Sequence, residues 1–566
     1  MHPSSTHSSL WLRSTRWWLA LALCSVIVTA GAQELRQPTP DAHVLADVRI
    51  VPAPGEVIES GHVVIRHGII EAVGANVKLP PDARIHRFEQ ADDQPPVTVY
   101  PGLIEPHWAI DTAPSEAAND GDDETPAGRH PLIRPDARIS AAQWPEDRID
   151  ALRRAGFTTA VLAPSHGLLR GSGVVANLGE GGLSNNVIDP RFGQFASFDA
   201  RMGRRQFPSS LMGSVALARQ TFSDAVWQTQ ARAAWALNPA QPRPQWFEGL
   251  DELGSALNGG TPLVFDSEDL LDTLRILEFV QFDEARPAIV GHGHEYKRLD
   301  EIQGRTEVVH IVPLNFPSTP DVTDETDRNV SLESLRHWHR APDNPKLMHE
   351  TGLMMMLTSH GIAQPGDFLK HLAKAVDRGL DHDDALAMVT TEPARWLALS
   401  DRAGQIAPGM MANLLVVNGE LISETPKISD VWVDGRRFEL AAIEPPSVDP
   451  VGTWALTLGM GAMGDVEAQL VLTGTPSNLG GVLTVMGNDS PLNDAQVSDD
   501  EVTARLDSSR FGGSGTITLK LTINGDAARG NGTGPFGEFT LRGQRQVAAA
   551  SPEANLAQAG SIEEVQ

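Results

Sequence analysis

The residues of this chain that could do chemistry are histidines and carboxylates next to short apolar segments. His107 follows one such segment, His292 and His294 follow a second, and His360 follows a third. Three imidazoles and one carboxylate are enough to hold a single zinc ion. Bound zinc lowers the pKa of its water toward neutrality and so creates a nucleophile. The alternative is that these histidines are ordinary core and surface residues among the 18 in the chain.

The elements that would position these residues alternate between apolar strands and helices in the middle of the chain. About 300 residues of this alternation predict an α/β fold, a (β/α)₈ TIM-like barrel over residues 100–403. A doubly wound sheet is disfavoured, because no glycine-rich dinucleotide fingerprint follows a strand. The predicted strands are 100–104, 158–163, 174–178, 263–265, 288–290, 308–312 and 353–358, and the predicted helices are 209–237, 268–282, 365–378 and 383–399.

Short strands with turn punctuation lie on both sides of the predicted barrel. Residues 33–99 and 404–443 are therefore predicted to form one small composite β-domain from both flanks. A proline-rich linker at 444–450 leads to a C-terminal all-β domain at 451–547, an antiparallel barrel or sandwich in which Asn524-Gly525 is a hairpin signal. Residues 548–566 are predicted to be a disordered tail.

The segment Pro101-Gly102-Leu103-Ile104-Glu105-Pro106-His107 resembles the first barrel strand of the amidohydrolase superfamily, which reads Pro-Gly-Leu-Ile-Asp-x-His-x-His. Segments 61–74, 404–414 and 430–435 resemble the small sheet of that family, so the resemblance covers roughly residues 42–440. The nearest general likeness is to imidazolonepropionase-like members. The resemblance implies a divalent metal at the C-terminal mouth of the barrel and hydrolysis of non-peptide C–N bonds.

The sequence departs from the superfamily pattern at the positions that carry its chemistry. Ala109 stands where the second histidine ligand belongs, Ser359 where the catalytic aspartate belongs, and Phe265 where a histidine is usual. We therefore expect a site whose ligands differ from those of the superfamily. It would hold one divalent metal ion, with zinc as the leading candidate, or no metal at all. Its expected metal ligands are His107, His292 and His294, its catalytic groups are Asp266, Glu295 and His360, and Asp111 is a further candidate carboxylate.

Charge and the N-terminal segment limit where the protein acts and what it binds. The formal net charge of −28 argues against nucleic acid as a partner. Arg13 and Arg16, an apolar run, and Ala30-Gly31-Ala32 predict a signal peptide at 1–32. We therefore expect a bacterial periplasmic or secreted protein without a membrane span once the signal is removed.

Two functions remain open from the sequence. One is a metal-dependent hydrolase of a small linear or cyclic amide, with a small-molecule substrate as its partner. The other is a catalytically silent barrel that serves as a binding or assembly module, which the residues at 109 and 359 favour. A homo-oligomer is compatible with either function.

Overall fold

The computed structural model describes residues 42–88, 95–112, 130–199, 207–320, 330–440, 448–459, 464–475, 478–498, 501–511, 516–535 and 537–546. The chain divides into two compact units between Leu440 and Ala441. The predicted signal peptide and the predicted C-terminal tail lie outside the described residues. No helix in the described ranges is long and apolar enough to cross a membrane.

The first unit carries sixteen strands and eleven α-helices in its described part. The strands are β1 (Ala42–Ile50), β2 (Ile58–Arg66), β3 (Ile69–Gly74), β4 (Arg84–His86), β5 (Val97–Pro101), β6 (Leu103–Ile110), β7 (Phe157–Pro164), β8 (Leu169–Asn177), β9 (Val187–Ser197), β10 (Pro262–Asp266), β11 (Arg286–Val290), β12 (Val309–Pro313), β13 (Met355–Thr358), β14 (Leu414–Asn418), β15 (Ile428–Val433) and β16 (Arg436–Glu439). The helices are α1 (Glu146–Arg154), α2 (Leu183–Asn186), α3 (Leu211–Leu237), α4 (Glu248–Leu257), α5 (Leu270–Phe279), α6 (Leu299–Ile302), α7 (Leu332–Arg340), α8 (Asn344–His349), α9 (Phe368–Asp377), α10 (His382–Ala387) and α11 (Thr391–Trp396).

Strands β6 to β13 form an eight-stranded sheet in chain order, and β13 lies against β6, so the sheet nearly closes into a barrel. The predicted TIM-like barrel is thus confirmed. Its strands are buried apolar runs, as expected when helices cover the outer face; every residue of β7 and β8 is buried. The barrel core includes Phe157, Leu162, Leu263, Ile289 and Leu357.

One barrel strand departs from the regular βα alternation. Strand β8 runs antiparallel to both β7 and β9, whereas the other neighbouring pairs are parallel. Only four residues, 165–168, connect β7 to β8. A parallel crossover needs a dozen or more residues, so this connection must form a hairpin.

The small sheet is built from both ends of the first unit, which confirms the composite β-domain. Its strand order is β16-β15-β14-β5-β1-β2-β3, with β4 paired to β1. Strand β5 connects the two parts of this sheet. It pairs with β1, which precedes the barrel in the chain, and with β14, which follows the barrel. Its core contains Val99, Leu414 and Trp432.

Gly102 is the single residue between the small sheet and the barrel. A Cβ atom at this position would lie 2.2 Å from Oγ1 of Thr158 in β7, which no side chain can occupy. The backbone N–H of Gly102 donates to the carbonyl of Asn413 at 2.9 Å. The glycine of the Pro-Gly-Leu motif is therefore required by packing, and it sets the position at which β6 enters the barrel.

The second unit is a closed antiparallel barrel of eight strands, the barrel form of the predicted all-β domain. Its core contains Trp454, Leu470, Leu519 and Leu541. Gly525, with a φ of +61°, lies in the predicted hairpin turn between two of its strands. The strands are β17 (Gly452–Gly459), β18 (Asp465–Thr475), β19 (Asn478–Val485), β20 (Asn488–Ser498), β21 (Glu501–Asp507), β22 (Thr516–Asn524), β23 (Ala527–Gly534) and β24 (Gly537–Arg545).

Candidate functional site

His107 lies in the C-terminal half of β6, at the mouth of the barrel, where the carboxyl ends of the parallel strands meet. Its side chain is fully buried. The ladder between β6 and β7 shifts register between Glu105 and Trp108, so His107 lies at an irregularity in the strand. Such irregularities are frequent beside active sites because they re-aim a side chain.

Glu105 joins the first and last strands of the barrel. Its carboxylate accepts hydrogen bonds from the backbone N–H of His107 at 3.0 Å, from the backbone N–H of Ser359 at 2.9 Å and from the hydroxyl of Thr358. Burial raises the pKa of Glu105, although these hydrogen bonds oppose the shift. The described strands β6 and β13 form no ladder of backbone hydrogen bonds with each other. The buried carboxylate of Glu105 therefore connects the first and last barrel strands at the mouth.

Asp266, the last residue of β10, lies between His107 and an arginine that the sequence analysis did not single out. Its Oδ1 atom is 3.4 Å from Nε2 of His107, and its Oδ2 atom accepts a hydrogen bond from Nη1 of Arg170. Arg170 comes from the antiparallel strand β8, and its Nε atom donates to the carbonyl of Gly167 at 3.1 Å. The Arg170 side chain is only 4% exposed, so its charge is fixed inside the barrel.

The charges of this group follow from burial and proximity. Burial lowers the pKa of His107 to about 4; Asp266 opposes the shift, while His360 and Arg170 reinforce it. Burial alone would raise the pKa of Asp266, but the neighbouring His107, Arg170 and His360 hold it below its usual value. Near neutral pH the imidazole is therefore uncharged, and Arg170 is the counter-ion of Asp266.

Three buried polar atoms at this point have no hydrogen-bond partner among the described residues. They are Nδ1 and Nε2 of His107 and Oδ1 of Asp266. Leaving a buried donor or acceptor unsatisfied costs about 1–3 kcal/mol, and native proteins rarely do so. These atoms therefore have hydrogen-bonding capacity that the described residues do not use.

His360 completes this first cluster. Its ring meets that of His107 edge-on, with centroids 5.1 Å apart, and its backbone N–H donates to Oγ1 of Thr358 at 3.0 Å. Ser359, at the expected place of the catalytic aspartate, donates its backbone N–H to Glu105. The structure thus brings His107, Asp266 and His360 together, whereas Asp111 lies exposed beyond the end of β6.

His292 and His294 form a second cluster with His337 of α7. The rings of His294 and His337 are stacked with centroids 3.7 Å apart, and those of His292 and His294 with centroids 5.1 Å apart. The lone pair of an imidazole nitrogen lies in the ring plane. Stacked rings therefore direct their lone pairs along separate planes instead of toward one ion.

Glu295 is a buried acceptor within this second cluster. It accepts hydrogen bonds from the backbone N–H groups of His292 at 2.8 Å and Gly293 at 3.2 Å, and from the amide of Asn344 at 2.7 Å. Burial acts to raise the pKa of Glu295, but His292 and these hydrogen bonds together hold it below its usual value. The carboxylate expected to be catalytic is thus engaged in holding the loop after β11.

The metal that the resemblance implies needs several protein ligands that converge on one point. Within the described ranges no group of three or more His, Cys, Asp or Glu residues could hold a metal ion. The expected ligand set is therefore not assembled by these residues, because His107 lies in the first cluster and His292 and His294 lie in the second. Arg170 also places a fixed positive charge on Asp266. The described residues therefore do not supply the three converging ligands that a resident metal ion needs.

Comparison with known proteins finds similarity to a family model, to a curated protein and to solved structures. A model of the amidohydrolase family matches residues 284–438. A curated relative, Amidohydrolase tasK of Hapsidospora irregularis, is 22% identical over 413 residues, which are 66% of this chain and 39% of that protein. The chain thus spans well under half the length of that relative.

Among solved structures, an amidohydrolase from Thermotoga maritima MSB8 shares the fold with a TM-score of 0.54 and 18% identity. The alignment covers 70% of this chain and 100% of that chain. Members of the superfamily are hydrolases that act on C–N bonds, and they usually bind divalent metals. The Pro-Gly-Leu-Ile-Glu-Pro-His motif at the mouth of the barrel agrees with the family match over residues 284–438, and both support assigning the chain to the amidohydrolase superfamily.

Proposed function

We propose that the mouth of the barrel binds a small neutral amide through His107, Asp266 and Arg170, without the metal-dependent hydrolysis of the superfamily. The observation that carries this proposal is the guanidinium of Arg170 bound to Asp266 beside His107. A cation belonging to the protein itself occupies the carboxylate that would otherwise serve a metal. The function is then that of the silent, ligand-binding barrel.

The chemistry of the unpartnered atoms favours an amide as the ligand. A neutral imidazole offers one N–H donor and one acceptor nitrogen, and Oδ1 of Asp266 offers a second acceptor. An amide carbonyl can accept from the imidazole, and an amide N–H can donate to the carboxylate. The charges of Arg170 and Asp266 cancel, so the site favours a ligand without net charge.

The second candidate function is a hydrolase with a single metal ion. It is favoured by the distance between the side chains of His107 and Asp266. Two ligands of a tetrahedral zinc, at bond lengths of about 2.1 Å, lie about 3.4 Å apart. Nε2 of His107 and Oδ1 of Asp266 are separated by 3.4 Å, and neither atom makes a hydrogen bond to a described residue. A metal seated between them would still lie beside the guanidinium of Arg170.

Two measurements on the mature protein test the proposal. The first is metal content by mass spectrometry after purification without chelator, for wild type and His107→Ala. The second is a thermal-shift screen against linear and cyclic amides. We expect no stoichiometric metal in either protein, and stabilisation by some amides that is lost in His107→Ala.

The matched control is His166→Ala, since His166 lies in the short loop after β7 and is not fully buried. This variant should keep the amide response. Near one zinc per chain, lost in His107→Ala, would refute the metal-free site and support the second candidate, the hydrolase with a single metal ion. Amide stabilisation that survives in His107→Ala would show that the ligand binds elsewhere.

A further inference from the structure

The end of α3 and its connection to α4 enclose a small cavity, which we call the Trp-Arg cavity. Its volume is about 160 Å³. Its lining consists of two arginines, two tryptophans and a proline: Arg232, Trp235, Arg243, Pro244 and Trp246. It shares no residue with the first cluster at the mouth of the barrel or with the second cluster. A ligand in this cavity would therefore be additional to the one proposed for the mouth.

Hydrogen bonds to two side chains hold the walls of the Trp-Arg cavity in place. Gln228 of α3 is fully buried; its amide donates to the carbonyl of Phe247 at 2.8 Å and accepts from the N–H of the same residue at 2.9 Å. Asp251 of α4 accepts from Gln228 at 2.7 Å, from the indole N–H of Trp246 at 2.7 Å, and from Arg232. The two helices and their connection are thus joined to one another, and a ligand would not have to order these walls.

The charges around the Trp-Arg cavity leave one cation without a counter-ion. Burial acts to raise the pKa of Asp251, but the hydrogen bonds that it accepts hold it below its usual value. Near neutral pH this carboxylate is therefore ionised, and it neutralises Arg232. Arg243 pairs with no carboxylate among the described residues. Its guanidinium lies over the ring of Trp235, 5.7 Å from the ring centroid, so the cavity has a net positive charge of one.

We infer that the Trp-Arg cavity binds a small carboxylic acid that carries one planar apolar ring. The guanidinium of Arg243 presents N–H donors in a plane, and this geometry matches a carboxylate. The indole rings of Trp235 and Trp246 and the ring of Pro244 supply flat apolar surface for the ring of the ligand. The indole N–H of Trp246 is already bonded to Asp251, so this ring contributes its apolar surface.

The size and the charge of the cavity limit its ligand further. Apolar cavities of about 150 Å³ in proteins bind benzene, so a volume of about 160 Å³ accommodates a single ring. The net charge of −28 on the chain opposes the binding of an anion. At physiological salt, however, exposed charges more than about 8 Å away are largely screened. The nearby guanidinium of Arg243 therefore outweighs the distant acidic residues.

Calorimetric titration of the full chain with three probes of similar size tests the inference. Benzoate, benzyl alcohol and benzylamine each have one benzene ring and one short substituent, and at neutral pH they are negative, neutral and positive. Benzoate should bind with a dissociation constant of about 1 mM or below, at least about tenfold more tightly than the other two probes. Because two tryptophans line the cavity, benzoate should also change the intrinsic tryptophan fluorescence over the same concentration range.

Four variants assign the binding to this cavity, and circular dichroism checks that each is folded. Arg243→Gln removes the charge of an exposed residue and should weaken benzoate about tenfold while leaving benzyl alcohol unchanged. Trp235→Leu removes an aromatic wall and should also weaken benzoate. Its matched control is Trp227→Leu, because Trp227 lies on the same helix, is 55% exposed and does not line the cavity. His107→Ala should bind benzoate as the wild type does, which separates this cavity from the mouth of the barrel.

Three results would overturn the inference. Benzyl alcohol that binds as tightly as benzoate would show that the protein does not select a carboxylate. Benzoate binding that is unchanged in Arg243→Gln, or lost in His107→Ala, would place the anion at another site. The absence of both a binding heat and a fluorescence change at millimolar benzoate would show that the Trp-Arg cavity takes no ligand of this class.

Discussion

Replacing Arg170 by methionine should convert the mouth of the barrel into a metal-binding site. Methionine has a similar length and an apolar stem but no charge, so Oδ2 of Asp266 loses its counter-ion. A divalent ion bound at Oδ1 of Asp266 would lie roughly 5 Å from the guanidinium. The repulsion between charges of +2 and +1 at that distance is about 7 kcal/mol at an effective dielectric constant of 20.

Solvent and the partial exposure of Asp266, at 15% of its side chain, reduce that figure. If half is lost, about 3 kcal/mol remains, and zinc should bind Arg170→Met about 100-fold more tightly than it binds the wild type. Calorimetric titration with Zn²⁺, and the visible absorption of Co²⁺ as a separate readout, measure this difference. Arg170→Gln serves as a second uncharged variant, and circular dichroism reports whether each variant is folded.

Two controls make the result specific to the first cluster. The gain should vanish when His107→Ala is added to Arg170→Met, because that change removes one of the two donors. It should be absent in Arg138→Met, which removes a half-exposed arginine that pairs with Glu252 away from the cluster. Equal zinc affinity of folded wild type and folded Arg170→Met would refute the reasoning that Arg170 excludes a metal.

Three further predictions concern stability, measured as the free energy of unfolding in urea. Gly102→Ala should destabilise the protein by about 1–3 kcal/mol, because its Cβ would lie 2.2 Å from Thr158. The control Gly304→Ala has no atom within 4 Å of its Cβ and should be nearly neutral. Equal effects of the two changes would contradict the packing argument. Thr358→Val removes a hydrogen bond to the buried Glu105 and should lower the free energy of unfolding by about 1.5–3 kcal/mol. The control Thr98→Val loses only a 3.3 Å hydrogen bond to a carbonyl and should cost less. A larger loss in Thr98→Val would count against the role of Glu105. Burial lowers the pKa of His310 to about 4, so the unfolded chain takes up a proton that the native state refuses as pH falls from 6.5 to 4, and stability falls with it. His310→Gln should lose about 3 kcal/mol less than wild type over that interval, and an unchanged pH dependence would refute this.

The barrel and the small sheet could be predicted because their signals are local. Apolar runs such as 158–163 and 263–265 fall inside β7 and β10, and the Pro-Gly-Leu motif correctly marks the entry to the first barrel strand. The antiparallel strand β8 was expected only as one more barrel strand, although the four-residue connection before it carried the signal for a hairpin. The predicted helix over 383–399 is two short helices, α10 and α11, and Pro393 lies in the first turn of the second.

The site was predictable only in part. His107 was a candidate because it stands at the first ligand position of the superfamily motif, and Asp266 because it ends an apolar strand whose end meets its neighbours at one mouth. His292 and His294 satisfied the same criterion, yet their rings stack with His337, a residue far along the chain in α7. Whether two histidines converge on an ion or stack side by side depends on ring orientation, which spacing along the chain does not encode.

The sequence by itself determined the order of the elements, the barrel and the family, because strand periodicity and the first-strand motif are properties of adjacent residues. Only the tertiary structure decided what the mouth of the barrel holds. Arg170 looks like any other arginine in the chain until β8 folds back against β7 and carries it to Asp266. A buried charge takes its role from the partner it meets, and here that partner is 96 residues away along the chain.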